Sequence, residues 1–225
     1  TAYLVMTNQP YDKDFKELEP SLELVSVALD SGKVNNIGEV TQGYSCGAWV
    51  YGLWDNKLIF RTSKAADDRP FMERLQDFAD KNGLSESEAI EQYNDKAEYD
   101  YQYLSYDISR GKVEKNALSE PSAISDNCYY YVKDGKPCYL DKSGKEQTIE
   151  GIDDGSNVTN IATINGYALI DSENSQYLFK ESDKTISKLT DTYDIAAIKD
   201  GQAIIRTGST PAYEKKAVSE LENSK

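Results

Sequence analysis

A chain of 225 residues is long enough for one large core or two modest ones, and 39% apolar with 28% charged residues describe a globular sequence without an apolar run of membrane-spanning length. The 39 Asp and Glu against 25 Lys and Arg leave a formal charge of -14, which repels nucleic acid and anionic lipid; neither is an expected partner. There is no histidine, which excludes Ser-His-Asp and Cys-His catalysis together with histidine metal sites.

From the first residue onward, short apolar runs alternate with two- to four-residue turns of Asp, Asn, Gly, Ser and Lys. They predict strands at 1–7, 22–29, 33–40, 48–54 and 57–63. Between 65 and 100 the period becomes helical. Pro70 stands at a helix start, and Phe71, Met72, Leu75, Phe78 and Ala79 form a stripe that stops near Asn82-Gly83. Ser85 and Glu88 make a capping box for a second helix, with Ala89, Ile90 and Tyr93 as its apolar face. Strands resume at 101–108, 112–118, 121–125, 129–133, 137–140, 146–149, 158–164, 167–171, 176–181, 185–189, 194–199 and 202–207. The tail, 211–225, opens on Pro211 and reads as a polar C-terminal helix or linker.

Three turn series recur along this order. One is Asp30-Ser31-Gly32-Lys33, Ser109-Arg110-Gly111-Lys112 and Lys142-Ser143-Gly144-Lys145, with the weaker Ser182-Asp183-Lys184. Another is Asp55-Asn56, Asp126-Asn127, Asn165-Gly166 and Asp200-Gly201, and the third is Asp134-Gly135 with Asn174-Ser175. With the helical insertion subtracted, each series repeats at about 33 to 39 residues, so three turns per period imply four strands, A to D.

Such a repeat predicts an all-β fold, a β-propeller of four-stranded blades spanning 1–210, with the 65–100 helical hairpin inserted in it. Strand A should be innermost, where the taper needs small side chains; its candidates carry Ala48, Ser122, Ala123, Ala162, Thr163, Ala196 and Ala197. The run starts and ends in a B strand, giving about four to five blades in a ring that is either closed by its end strands or incomplete. A β-sandwich and a β-solenoid are the competing architectures.

Leu24-Val-Ser-Val-Ala-Leu-Asp-Ser-Gly-Lys33, Tyr103-Leu-Ser-Tyr-Asp-Ile-Ser-Arg-Gly-Lys112 and Cys138-Tyr-Leu-Asp-Lys-Ser-Gly-Lys145 share an apolar strand, Asp, turn and Gly-Lys. In this the chain resembles bacterial cell-envelope β-propellers, and is similar to the low-density-lipoprotein-receptor-like propeller domains of Gram-positive lipoproteins. The resemblance implies an exported propeller, extracellular or in the cell envelope. The sequence opens at Thr1 without a basic, apolar leader and reads as a trimmed mature region.

The cysteines, Cys46, Cys128 and Cys138, are odd in number. A two-residue turn at Asp134-Gly135 sets Cys138 opposite Tyr131 and turns Cys128 to the other side of the hairpin, so buried thiols are expected rather than a disulfide.

Carboxylates are the plentiful titratable groups, so an enzymatic reading means acid-base or nucleophilic work by Asp and Glu, as in glycoside hydrolysis. Asp55, Asp126, Asp134 and Asp200 fall in turns, where Asp is chosen for local hydrogen bonds. Asp153-Asp154-Gly155-Ser156-Asn157 has the oxygen density of a weak calcium loop without EF-hand spacing, and no metal or cofactor is expected. The 17 tyrosines alternate through 99–106 and cluster at 129–131, suiting strand packing or an aromatic contact surface. In a propeller the D-to-A and B-to-C loops share one end of the channel. That end would gather Tyr44, Trp49, Asp153, Asp154, Tyr193 and the helical insertion, the expected binding face. The expected function is a non-enzymatic binding or scaffolding module for protein or glycan at the cell surface. A carboxylate glycosidase and a structural spacer within a larger surface protein are the alternatives.

Overall fold

Asp-Asn, Asp-Gly and Asn-Gly pairs accept positive φ at both turn positions, the type I′ geometry whose twist matches antiparallel strands. Asp55-Asn56, Asp134-Gly135, Asn165-Gly166 and Asp200-Gly201 all adopt it. In the computed structural model, which describes residues 1–16, 18–43, 46–67, 69–93, 99–153, 157–208 and 212–222, these turns close hairpins in five small antiparallel sheets, none closed into a barrel. The all-β expectation holds, with the helices confined to a hairpin insertion and one short C-terminal turn. The chain divides into two compact units.

The first unit is Thr1–Val50 with Asn56–Asn116. Here β1 (Ala2–Asn8), β2 (Ser21–Val27) and β3 (Val34–Gln42) form one meander. A second runs through β4 (Gly47–Trp54), in which the unit boundary falls, β5 (Lys57–Ala65), β6 (Tyr99–Asp107) and β7 (Lys112–Lys115). Leu24 of β2 is buried with Leu58, Phe60 and Tyr106, so the β1–β3 sheet packs face to face on β5 and β6.

Between β5 and β6, α1 (Phe71–Asn82) and α2 (Glu86–Tyr93) form the expected helical hairpin. Gly83 caps α1 at φ 65, and the Ser85 N–H donates to the Glu88 carboxylate at 2.9 Å while the Ser85 Oγ accepts from the Glu88 N–H at 3.5 Å, the reciprocal pair of a capping box. The apolar stripe is shifted from its predicted place. Leu75 and Ala79 are buried as expected, but so is Arg74, while Met72 is exposed. Arg74 lies over the Phe71 and Tyr93 rings and donates to the Tyr93 hydroxyl at 3.1 Å, which offsets burial of its charge.

The second unit is Tyr51–Asp55 with Ala117–Lys225. Its three sheets are β8 (Ala123–Ile124) to β9 (Cys128–Lys133), β10 (Lys136–Asp141) and β11 (Glu146–Thr148); β12 (Val158–Ile164) to β13 (Tyr167–Ser172), β14 (Gln176–Lys180) and β15 (Thr185–Lys188); and β16 (Asp194–Lys199), β17 (Gln202–Thr207) and β18 (Ala212–Ala217). They stack face to face. Ala168, Ile170, Tyr177 and Phe179 pack on Cys128, Tyr130 and Tyr139 of the β8–β11 sheet. From the other face of the same strands, Leu169 and Leu178 pack on Ile195, Ile198, Ala203 and Ile205. Covered on both sides, the middle sheet needs apolar residues at successive positions, which is why β13 and β14 lack polar alternation.

The A-type strands of this unit are neighbours, β12 touching both β8 and β16. β12 and β16 each carry a bulge, between Val158 and Asn160 and between Ile195 and Ala197. Buried Val158 and Ile161, and buried Ile195 and Ile198, are consequently three apart rather than two.

Two sequence expectations change. The stretch 121–125 reduces to the two-residue β8, since Pro121 has no N–H to extend the ladder. The tail is neither a long helix nor a free linker: β18 pairs with β17 from Gln202↔Ala217 to Thr207↔Ala212, and α3 (Val218–Leu221) buries Val218 and Leu221 in the Ile195–Ile205 core. Cys138 lies opposite Tyr131 as expected and all three thiols are free, but only Cys128 and Cys138 are buried, Cys46 being partly exposed. Among the described residues, no helix is long and apolar enough to cross a membrane.

Candidate functional site

Of the five residues expected at a binding face, Tyr44 and Asp154 lie outside the described residues. Trp49, in the first unit, is 62% exposed on β4. Asp153 and Tyr193, in the second, are brought to one end of the β12–β15 sheet by the first two residues of β14. The Asp153 N–H donates to the Tyr177 hydroxyl at 3.1 Å. Gln176 accepts from the Tyr193 N–H at 2.9 Å and donates to the Tyr193 carbonyl at 3.3 Å. Lys188 pairs with the Asp153 carboxylate at 2.6 Å and is the main reason this carboxyl is held below its usual range. The Tyr193 hydroxyl shares a 2.7 Å hydrogen bond with Thr190. The Asp153 carboxylate is thus engaged by Lys188 of β15, and the Tyr193 hydroxyl within its own loop.

A concave surface lies at the other end of these sheets, where A strands turn into B strands. It is an open cleft of about 530 Å³, wholly within the second unit, walled by Gly52 and Leu53, floored by Ile124 to Asn127, and closed by Thr163, Asn165, Gly166 and Glu181. None of Trp49, Asp153 and Tyr193, the described residues among the five, lines it. Turn chemistry builds it. Gly52 has φ 149, and a Cβ there would come within 3.3 Å of the Ile124 side chain, so glycine keeps that wall close. Ser125 fixes the Asp126-Asn127 turn by accepting from the Asn127 and Cys128 N–H groups at 3.2 and 3.0 Å.

Glu181 is the chemical centre of the wall. It is 4% exposed, with Oε1 accepting from the Tyr130 hydroxyl at 2.9 Å and Oε2 from the Asn127 side-chain amide at 3.2 Å. Burial, with Cys128 and Glu181 close by, pushes the Tyr130 phenol far above its ordinary value, so it keeps its proton and donates. Burial likewise raises the Cys128 thiol, although Lys184 donates to its sulfur at 3.5 Å. Lys184 also sits 4.8 Å from the Tyr139 ring centroid.

The sequence reading placed Glu181 only as the end of a C strand, and took Asp126, Asn127 and Asn165 for turn formers. One available signal was the 182–184 turn, which lacks the glycine of its counterparts and is followed by no regular Gly-Lys. Among the described residues, no group of three or more His, Cys, Asp or Glu side chains is placed to hold a metal ion. What the arrangement offers is a fixed set of oxygens facing a cleft. No family model matches this chain, and no curated protein matches it.

Proposed function

We propose that this chain is a non-enzymatic β-propeller module, extracellular or in a bacterial cell envelope, and that its cleft beside Glu181 binds a glycan. The cleft carries the reading. Its roughly 530 Å³ falls within the range of about 300 to 1,000 Å³ usual for ligand sites, and hydroxyl, amide and carboxylate oxygens line it beside the apolar Leu53 and Ile124. Such a surface complements sugar hydroxyls.

The propeller part rests on the succession of five meander sheets, the face-to-face stack in the second unit and the adjacency of β8, β12 and β16. Continuing that stack around an axis would give a ring of blades with the A strands innermost. The envelope location rests on the Asp, turn, Gly-Lys hairpins that resemble Gram-positive lipoprotein propellers.

A glycosidase is the second reading, because Asp126 and Glu181 both line the cleft. Both Glu181 oxygens are already held by Tyr130 and Asn127, which suits a fixed anchor better than a proton carrier.

The test is a nuclear magnetic resonance titration of the nitrogen-15-labelled chain with neutral oligosaccharides, run beside a nitrophenyl glycoside assay. Shifts clustered at Asn127, Thr163, Asn165 and Gly166, lost in Asn165→Ala, with no nitrophenol release, are the expected outcome. Turnover abolished by Asp126→Asn would replace binding with hydrolysis, and a complete absence of shifts would remove the cleft as a glycan site.

A further inference from the structure

Counting the protons around the cleft narrows its ligand. The Ser125 hydroxyl donates to the Cys128 carbonyl at 3.4 Å, and the Thr163 hydroxyl to the Ile124 carbonyl at 3.4 Å. The Asn165 amide donates to the Ile198 carbonyl at 2.9 Å, and the Asn127 amide to Glu181 at 3.2 Å. Each hydroxyl proton is therefore used inside the protein, and each amide has spent one of its two. What remains toward the cleft is mostly lone pairs, those of the Thr163 hydroxyl, the Asn127 and Asn165 amide oxygens and the carboxylates of Asp126 and Glu181, since the Ser125 oxygen already accepts from the Asn127 and Cys128 N–H groups. Among the described residues, no Lys or Arg lines it.

An acceptor-rich, anionic wall is complemented by a ligand that donates hydrogen bonds and carries positive charge. Building on the glycan reading above, we infer that the cleft recognises an amino sugar whose amine is free and protonated, with the ammonium directed to Glu181 and Asp126. The remaining acceptors favour an amino sugar over a lysine side chain. The Thr163 hydroxyl and the Asn165 amide oxygen can accept from further donors, which sugar hydroxyls supply and an aliphatic lysine stem does not. Glu181 is suited to the task because Tyr130 and Asn127 fix its orientation before the ligand arrives, so little ordering cost falls on binding. The net charge of -14 adds a long-range attraction for cationic saccharides.

The experiment compares three probes of equal length with the 225-residue chain: a glucosamine tetramer with free amines, its fully N-acetylated counterpart, and a glucose tetramer. Isothermal titration gives affinity and amide shifts give location. The free-amine tetramer should bind about tenfold more tightly than the N-acetylated one, the worth of one hydrogen bond to a charged group. Asp126→Asn, on an exposed turn, should remove most of that advantage, and Glu181→Gln, which keeps an oxygen for Tyr130, should do the same if it folds.

Equal affinity for free-amine and N-acetylated tetramers at the cleft would overturn the ammonium inference and leave the glycan site standing. Failure of all three tetramers to bind would sink both. A Gly-Lys-Gly peptide that binds the cleft when the amino sugar does not would also overturn it, in favour of a protein ligand. Shifts scattered over the acidic surface and unchanged in Asp126→Asn would reduce the effect to nonspecific attraction and overturn it as well.

Discussion

Lys184 has φ 60, the left-handed conformation that Gly32 and Gly111 adopt at φ 68 and 64 in equivalent C-to-D turns. The equivalence is in the hydrogen bonds: the N–H groups of Gly32, Gly111 and Lys184 donate to the carbonyls of Ala28, Asp107 and Lys180. A side chain costs about 1 kcal/mol in this region. Lys184 offsets part of it by lying over the Tyr139 ring and reaching the Cys128 sulfur, contacts of about 0.5 to 1 kcal/mol at an exposed position. Lys184→Gly should therefore leave stability within about 0.5 kcal/mol of the parent, whereas Lys184→Ala, which keeps the backbone cost and loses the contacts, should destabilise by about 1 kcal/mol. Urea unfolding of the parent and both variants checks this; a Lys184→Ala variant as stable as the parent would mean the lysine contacts contribute nothing. Glu181 follows from the same alignment. It stands one residue after Lys180, where the other turns carry the apolar Leu29 and Ile108. The irregular turn was visible in the sequence, but nothing local says that a carboxylate there meets Tyr130.

At the scale of elements, the helical hairpin was the most legible feature. Its Pro70 start, its Gly83 stop and its Ser85–Glu88 box are contacts between near neighbours. The buried Arg74 was not legible, because the aromatic rings that cover it come from both helices. Ahead of α1, Asp67 pairs with Arg69 at 2.7 Å, and Arg69 also reaches Asp77 of the helix. The hydrogen bond from Arg69 is the largest reason the Asp67 carboxyl is held down at about 2. Its folded-state value is depressed, so the stabilisation it provides is present above the unfolded value of about 3.9 and is lost as pH falls through the folded one. Carbon-13 titration of Asp67 should give a midpoint near 2, moving up toward the ordinary aspartate value in Arg69→Gln. An unchanged midpoint would show that the clasp does not form in solution.

For the molecule as a whole, each sheet of the second unit depends on its neighbours. Phe179 is 2% exposed between the β8–β11 and β12–β15 sheets, 5.5 Å from Tyr139 and 6.4 Å from Tyr130 by ring centroids. Phe179→Ala should cost about 3 to 5 kcal/mol, the usual figure for a large aromatic removed from a packed core. Met6→Ala, at a site 51% exposed on β1, should stay within about 0.5 kcal/mol. Unfolding followed by tyrosine fluorescence separates the two, and similar losses would contradict the stacked arrangement.

Hairpin positions, strand types and the helical insertion could be read without coordinates because turn residues and side-chain periodicity act over two to eight neighbours, and the chain states them outright. Pairing over long separations could not. β18 is a strand because β17 offers it an edge, despite a polar composition that suits a helix. The bulges that space Val158 from Ile161 arise where β12 meets β13. The cleft joins Glu181 to Tyr130 and Asn127, 51 and 54 residues away, and is set by the stacking of one sheet on another. No local pattern encodes that meeting, so the sequence points to the loop end containing Asp153 and Tyr193, and only the packed sheets bring the cleft at the other end into view.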